Sequence, residues 1–386
     1  MMRMVVEGWR FLPQSYALVN QFQCLELAGR SGIELFHRDV PFLFAHWRQR
    51  RGMLDASRED RLDKLREPPP LYEPDVTLRI SFPMNFSPVG SGRLAVFGTS
   101  EFRVVPHNCV LGCRPVAEAM EESNAIVVTP SNWSKAGFVA SGARQERVFV
   151  VPHGVDVEIF KRASDDRRRE IRGGAGIQDE FVFLNIGAMT VTKNLGLLLE
   201  AFAVVCERHP EARLVLKGLD ALYPSQKLLM ETSRELTQAQ RNALQMKISY
   251  QGGSLPLAAV ADLYNLADAY VTPYAAEGFN LPALEAAASG LPVICTRGGA
   301  TDDFISDDFA LRVDAGMMPW RDDGFPAWKL DPDKDDLIEA MVRTIEDETF
   351  RKKARAAGPA LAADRFTWKH AVNRLLNVLA SGQGVG

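Results

Sequence analysis

From residue 181 onward, short runs of β-branched and aromatic residues alternate with longer stretches whose apolar positions recur at helical spacing. F-V-F-L-N-I-G (181–187) predicts a buried strand, K-N-L-G-L-L-L-E-A-F-A-V-V-C-E-R-H (193–209) a helix, and A-R-L-V-L-K-G (212–218) the next strand. A polar helix follows, then the strand K-I-S-Y-Q-G-G (247–253), a helix near 256–267, and the strands A-Y-V-T-P (269–273) and L-P-V-I-C-T (291–296). Such alternation builds repeated βαβ units, and so a parallel, doubly wound sheet.

The first half carries the same pattern less cleanly. R-M-V-V-E-G (3–8) predicts a first strand, and S-Y-A-L-V-N-Q-F-Q-C-L-E-L-A-G (15–29) a helix capped by Ser15 and ended by Gly29. Further strands are predicted at 76–81, 93–99, 124–131 and 147–156, each running into a loop rich in Gly, Pro, Ser or Thr. The charged, glycine-bearing segment 161–180 has no apolar period and predicts a linker, with the boundary near 165–178. The expected division is 1–165 plus a closing amphipathic helix at 366–386 for one domain, and 176–365 for the other.

A chain of 386 residues suits two domains at about 150 residues each, and two domains imply a cleft. Its 46% apolar and 24% charged residues are those of an ordinary globular protein. A net charge of −4 gives no general affinity for nucleic acid. No apolar run reaches the roughly 18 residues of a membrane span, and the apolar part of the first residues is too short for a signal peptide. The expectation is a cytoplasmic protein with reduced thiols, its five cysteines scattered. Cys109 and Cys113 stand C-x3-C with His107 beside them, but no second pair completes a metal site. W-R-Q-R-R-G-M (47–53) is a basic patch, predicted on a helix, that suits peripheral contact with an anionic membrane; a solvated helix face has the same composition.

E-G-F-N-L-P-A-L-E, from Glu277 to Glu285, carries the most chemistry. Proline is favoured at a first helical position, so Pro282 predicts a helix that runs to about Gly290. The loop before it leaves a strand's carboxyl end, where open parallel sheets bind ligands. Backbone N–H groups of Phe279, Asn280 and Leu281 then point out of a helix start that favours phosphate, and Gly278 permits close approach. Glu285, one turn inside, suits a ribose diol, and Glu277 the hydroxyls of a group attached to the phosphate. Together these describe a nucleotide sugar. By spacing alone, the same acids fit a surface loop and an exposed helix face.

This motif, with L-Y-N-L-A-D-A-Y-V-T-P before it, T-R-G-G-A-T-D-D-F after it, and upstream N-I-G-A-M-T-V-T-K-N-L-G-L-L-L-E-A-F and V-P-H-G-V-D, resembles the GT-B retaining glycosyltransferases of family four. The strong matches span roughly 124–310. The resemblance implies an α/β fold of two Rossmann-like, doubly wound domains facing a cleft, with the donor held by the carboxyl domain, the acceptor on the amino side and the final helix crossing back. It implies transfer of a hexose-type sugar from a nucleotide sugar, UDP-sugar favoured over GDP-sugar, to a hydroxyl of a glycan, lipid-linked or small-molecule acceptor. The implied mechanism is front-face attack with no metal and no cofactor beyond the donor.

Residue by residue, it places Glu277 by the sugar, Glu285 by the ribose, Lys193 on the diphosphate, Gly187 in the same donor-binding set, and the Ser249, Tyr250, Gly252 loop at the base. The family arginine expected five residues ahead of Lys193 is Ala188 here, and Lys217 is the candidate to replace its charge; a lysine that snorkels at a strand end is the other reading. Where many relatives carry a mid-domain histidine, either Glu101 or Ser100 fills the place, or His107 reaches it. Trp9, Gln14 and Ser15 fall at the family's first loop, and His153 in the hinge strand with no catalytic part. Two rivals share the fold: a non-catalytic nucleotide-sugar-binding subunit and a sugar-nucleotide epimerase. A nicotinamide dehydrogenase is disfavoured because no G-x-G-x-x-G opens a helix after either first strand.

Overall fold

The structure, a computed structural model, describes residues 1–322 and 324–381; the end of the predicted closing helix, 382–386, lies outside the described residues. Six strands form a first parallel sheet: β1 (Met2–Gly8), β2 (Ile33–Asp39), β3 (Val76–Ile80), β4 (Arg93–Phe97), β5 (Ile126–Thr129) and β6 (Val148–Val150), in the order β2-β1-β3-β4-β5-β6. Its helices are α1 (Ser15–Ala28), α2 (Ala56–Asp63), α3 (Val116–Ser123) and α4 (Asn132–Ala140). After α5 (Asp165–Gly174) a second sheet is built from β7 (Phe181–Ile186), β8 (Ala212–Lys217), β9 (Ile248–Gln251), β10 (Ala269–Thr272), β11 (Val293–Thr296) and β12 (Ala310–Val313). Its order is β12-β11-β10-β7-β8-β9, with α6 (Leu195–Arg208), α7 (Ser225–Glu235), α8 (Gln238–Leu244), α9 (Leu257–Leu266) and α10 (Leu281–Ala288) as connections. The chain closes with the hairpin of β13 (Ala315–Asp322) and β14 (Phe325–Pro332), then α11 (Lys334–Glu346), α12 (Glu348–Arg365) and α13 (Trp368–Ser381).

Contacts divide the chain into two units: Met1–Gly154 with Pro319–Trp328 and the segment from Phe366, and Val155–Met318 with Lys329–Arg365. The second sheet has the dinucleotide-binding strand order, while the first has the flavodoxin-like one, in which the second strand lies outside the first and the third inside. In the first unit α13 is seated by Trp368, whose ring stacks on Phe22 at 5.1 Å. Gly154 is required there, since a Cβ would stand 2.3 Å from the Trp368 nitrogen.

Three sequence expectations are corrected. Segment 161–180 is not a free linker, because 165–174 is the helix α5, capped by Ser164. Its inner face is arginine rather than apolar: Arg168 and Arg172 both bond Asp268, and they donate to the carbonyls of Asn265, Ala267 and Leu266 at the end of α9. Segment 47–53 is irregular, with Trp47 buried edge-on against Trp9 at 5.5 Å and Arg51 paired to Asp63. The cap of α1 is Gln14, whose side chain accepts from the Tyr16 amide at 2.6 Å; Ser15 is the first helical residue.

Two histidines are locked inside the first unit. His37 lies against Asn20, and His153 between the rings of Phe97 and Trp368. Burial pushes both down to about 3. An unfolded histidine holds its proton up to about pH 6.5, so between these values the unfolded chain binds more protons and stability falls as the pH is lowered. The opening free energy of β1 and β4 amides, from hydrogen exchange corrected for intrinsic rates, is expected to drop by about 2–3 kcal/mol between pH ~7.5 and ~5.5. An unchanged value would show that these histidines are not held neutral.

Candidate donor site at the second sheet

In the second sheet, β7 lies between β8 and β10, and connections leave it in opposite directions. The loops after β7 and β10 therefore open a crevice at the carboxyl ends of the strands, the place where doubly wound sheets bind ligands. The first loop turns sharply at Met189 and Asn194, both with positive φ, around a short turn Val191–Lys193. It is stitched to the second loop by the Thr192 carbonyl, which accepts from the amides of Ala275 at 2.8 Å and Ala276 at 3.4 Å.

Across this stitch the Lys193 ammonium donates to Glu277 Oε1. The two side chains are 17% and 9% exposed, so the pair is largely withdrawn from water yet reachable. Gly187 ends β7 beneath it, and a Cβ there would stand 3.0 Å from Lys193 Cε. The glycine is what lets the lysine lie across the strand end toward Glu277.

Beyond Glu277, Asn280 takes a left-handed conformation and caps α10, its Oδ1 accepting from the Ala283 amide at 3.2 Å. Its Nδ2 donates to Thr272 at the end of β10 at 3.1 Å. Leu281 is the first helical residue and Pro282 the second, one place later than predicted. The amides of Asn280 and Leu281 have no acceptor among the described residues. Phe279 is buried against Phe304, and this anchors the loop beside Gly278. Inside the helix, Glu285 is partly buried and accepts from Tyr264 at 2.8 Å. Burial pushes its carboxyl up to about 7, with the Tyr264 bond opposing.

At the ends of β8 and β9, Lys217 is buried and donates to the carbonyls of Gly218 at 2.5 Å and Gly253 at 2.7 Å. Burial pushes it down to about 8, opposed by nearby Asp220. Tyr250 donates to Asp220 at 2.8 Å, and a Cβ on Gly252 would overlap the Asp220 carboxylate in this position. Ser249 is exposed on β9. The Ala188 carbonyl is held by Ser225 at 2.7 Å. Lys193, Glu277, Gly187 and the α10 start thus share one crevice, while the Lys217 ammonium is engaged by two strand-end carbonyls.

The amino-half candidates lie in the other unit. Ser100 is buried and bonds Val104 and Ser134. The Glu101 side chain is exposed, and its carbonyl accepts from Trp133 at 2.8 Å. His107 packs against Phe325 at 4.7 Å. Trp9 is a packing residue, fully buried with its indole N–H on Pro41 O at 2.9 Å. Sequence reasoning missed Thr192, Asp220 and Tyr264, whose partners are remote in the chain and leave no local signal.

Residues 167–360 match the sequence model of the family described as "Glycosyl transferases group 1". Over 241 residues the chain is 29% identical to the mannosylfructose-phosphate synthase of Agrobacterium fabrum, covering 61% of this chain and 48% of that protein. It is 26% identical to the GDP-mannose-dependent alpha-(1-6)-phosphatidylinositol dimannoside mannosyltransferase of Mycobacterium tuberculosis, covering 66% of this chain and 57% of the relative. The chain thus spans about half the length of the curated relatives it matches. Among solved structures, Anabaena Alr3699/HepE in complex with UDP and glucose is similar with a TM-score of 0.69 at 15% identity, over 99% of this chain and 100% of that one. That likeness is one of fold, the two parallel α/β sheets of the GT-B class.

Proposed function

The chain belongs to the glycosyl transferases group 1 family, and from that premise we propose that it transfers a sugar from a nucleoside diphosphate sugar to an acceptor hydroxyl with retention of configuration. The observation that carries this is the Lys193 and Glu277 pair at the switch point of the second sheet, beside the α10 start. In the free protein Glu277 neutralises Lys193. A diphosphate takes the ammonium and the α10 amides, and the released carboxylate turns to the sugar hydroxyls. Glu285 takes the ribose, and the loop of Ser249, Tyr250 and Gly252 takes the base.

The bond from the anomeric carbon to the diphosphate oxygen breaks while the acceptor oxygen bonds the same face of that carbon. The acceptor proton passes to the departing phosphate oxygen. Negative charge gathers on the diphosphate, where preorganised donors act most strongly. Lys193 and the helix amides supply them, so the reaction proceeds without added metal. The first unit serves the acceptor, with Glu101 and His107 as its candidate groups. Both UDP and GDP donors are to be tried: a UDP-sugar is the donor expected from the resemblance, whereas one relative is named for GDP-mannose.

The purified full chain, incubated with UDP-glucose or GDP-mannose, sugar and lipid-linked acceptors and EDTA, is to be read by mass spectrometry and NMR. A retained anomeric configuration supports the proposal. Inverted product, or donor isomerised without acceptor, sinks it.

Among the described residues no helix is long and apolar enough to cross a membrane. We propose peripheral contact through the loop 41–52, where exposed Leu43 and Phe44 precede exposed Arg48 and Arg50. Apolar side chains enter the acyl boundary, and each arginine adds about 1 kcal/mol at an anionic surface. The protein is expected to float with phosphatidylglycerol vesicles but not with phosphatidylcholine, and Phe44→Ser with Arg48→Ser is expected to abolish flotation. Equal flotation of that variant would contradict the assignment.

A further inference from the structure

Tyr264 is fully buried on α9, with its hydroxyl 2.8 Å from Glu285 Oε2 and 3.1 Å from the Pro282 carbonyl oxygen. A phenol has one proton to give. While Glu285 is ionised, the nearer and charged acceptor takes it. Once Glu285 is protonated, its own O–H can donate to the Tyr264 oxygen, and the phenol proton turns to Pro282. The ring is held for this by Phe160 at 5.8 Å and Tyr270 at 6.0 Å. Glu285 Oε1 has no partner among the described residues.

We propose that Tyr264 is a positioning residue: its hydroxyl fixes one oxygen of Glu285 and leaves the other for a hydroxyl pair of the bound nucleotide sugar, and the same bond sets the pH below which donor affinity is lost. The proposal rests on the reading of Glu285 as a donor-holding group. The ionisable groups facing Glu285 are Tyr264 from α9 and Tyr270 from β10. On the opposite side α12 packs against α10 with Gly358 on Ala287, and it brings Arg355 to the helix end at Gly290. Glu285 is pushed up by burial to about 7, so its carboxylate is present above that pH, and donor affinity falls as the pH falls through it.

Titration calorimetry of the full chain with UDP-glucose and with GDP-mannose tests this, since neither sugar nucleotide ionises near neutrality. Between pH ~7.5 and ~6, where Lys217 only gains charge and so cannot weaken an anionic donor, wild-type affinity for the donor that binds is expected to fall about tenfold. Tyr264→Phe removes a hydrogen bond to the charged form, so its loss of affinity should begin about one pH unit higher. Glu285→Gln should bind weakly, with no pH dependence. Should Tyr264→Phe trace the wild-type curve while Glu285→Gln is weakened, the positioning role is overturned. If Tyr264→Phe does not fold, a flat wild-type profile beside a weakened Glu285→Gln overturns the coupling. Glu285→Gln binding as tightly as wild type would instead remove the donor-site reading itself.

Discussion

Lys193→Ala is expected to lower turnover about a thousandfold, equivalent to about 4 kcal/mol of transition-state stabilisation. Its ammonium is one of two cationic side chains the sequence offers to the diphosphate, and the other, Lys217, is engaged by two carbonyls. With Ala188 in place of the family arginine, little remains to carry the charge that develops as the donor bond breaks. The effect should fall on kcat more than on KM, because the charge is greatest in the transition state. Steady-state kinetics with the preferred donor checks this. A variant within a few-fold of wild type would move the catalytic charge elsewhere, and Lys217→Met would then become the informative substitution.

Glu277→Gln should separate the two halves of the donor. Removing the charged partner of a largely buried pair leaves the lysine uncompensated, and the folded state should lose about 1–3 kcal/mol. That same lysine, no longer neutralised, should bind UDP or GDP at least as tightly as wild type, and the nucleotide should restore the lost stability through linkage. Turnover of the nucleotide sugar should fall about a hundredfold, because the group that orients the sugar has lost its charge. Thermal melts with and without nucleotide, alongside turnover, give all three readings. Weaker binding of the bare nucleotide would mean that Glu277 supports the diphosphate site instead of competing for it.

The second sheet was legible because its buried parallel strands are near-continuous apolar runs, as F-V-F-L-N-I and A-Y-V-T show. β2 was missed: its I-E-L-F-H-R-D mixes charges with a histidine that is buried only through tertiary packing. α5 was misread because guanidinium groups bonded to the carbonyl end of α9 do the work of an apolar face, and periodicity of hydrophobic residues cannot detect them. Within the site, Glu277, Glu285 and the helix start could be read from one continuous stretch. The pairing of Lys193 with Glu277 joins loops 84 residues apart, and Tyr264 meets Glu285 only because α9 and α10 pack together. Such partnerships are set by the sheet order, which the local pattern implies only as a class.

A crystal structure of the full chain with UDP or GDP bound would show where the diphosphate sits. The diphosphate is expected between Lys193 and the amides of Asn280 and Leu281, with the Lys193 ammonium on a phosphate oxygen and no longer on Glu277. A nucleotide bound elsewhere, with the Lys193 and Glu277 pair intact, would contradict it.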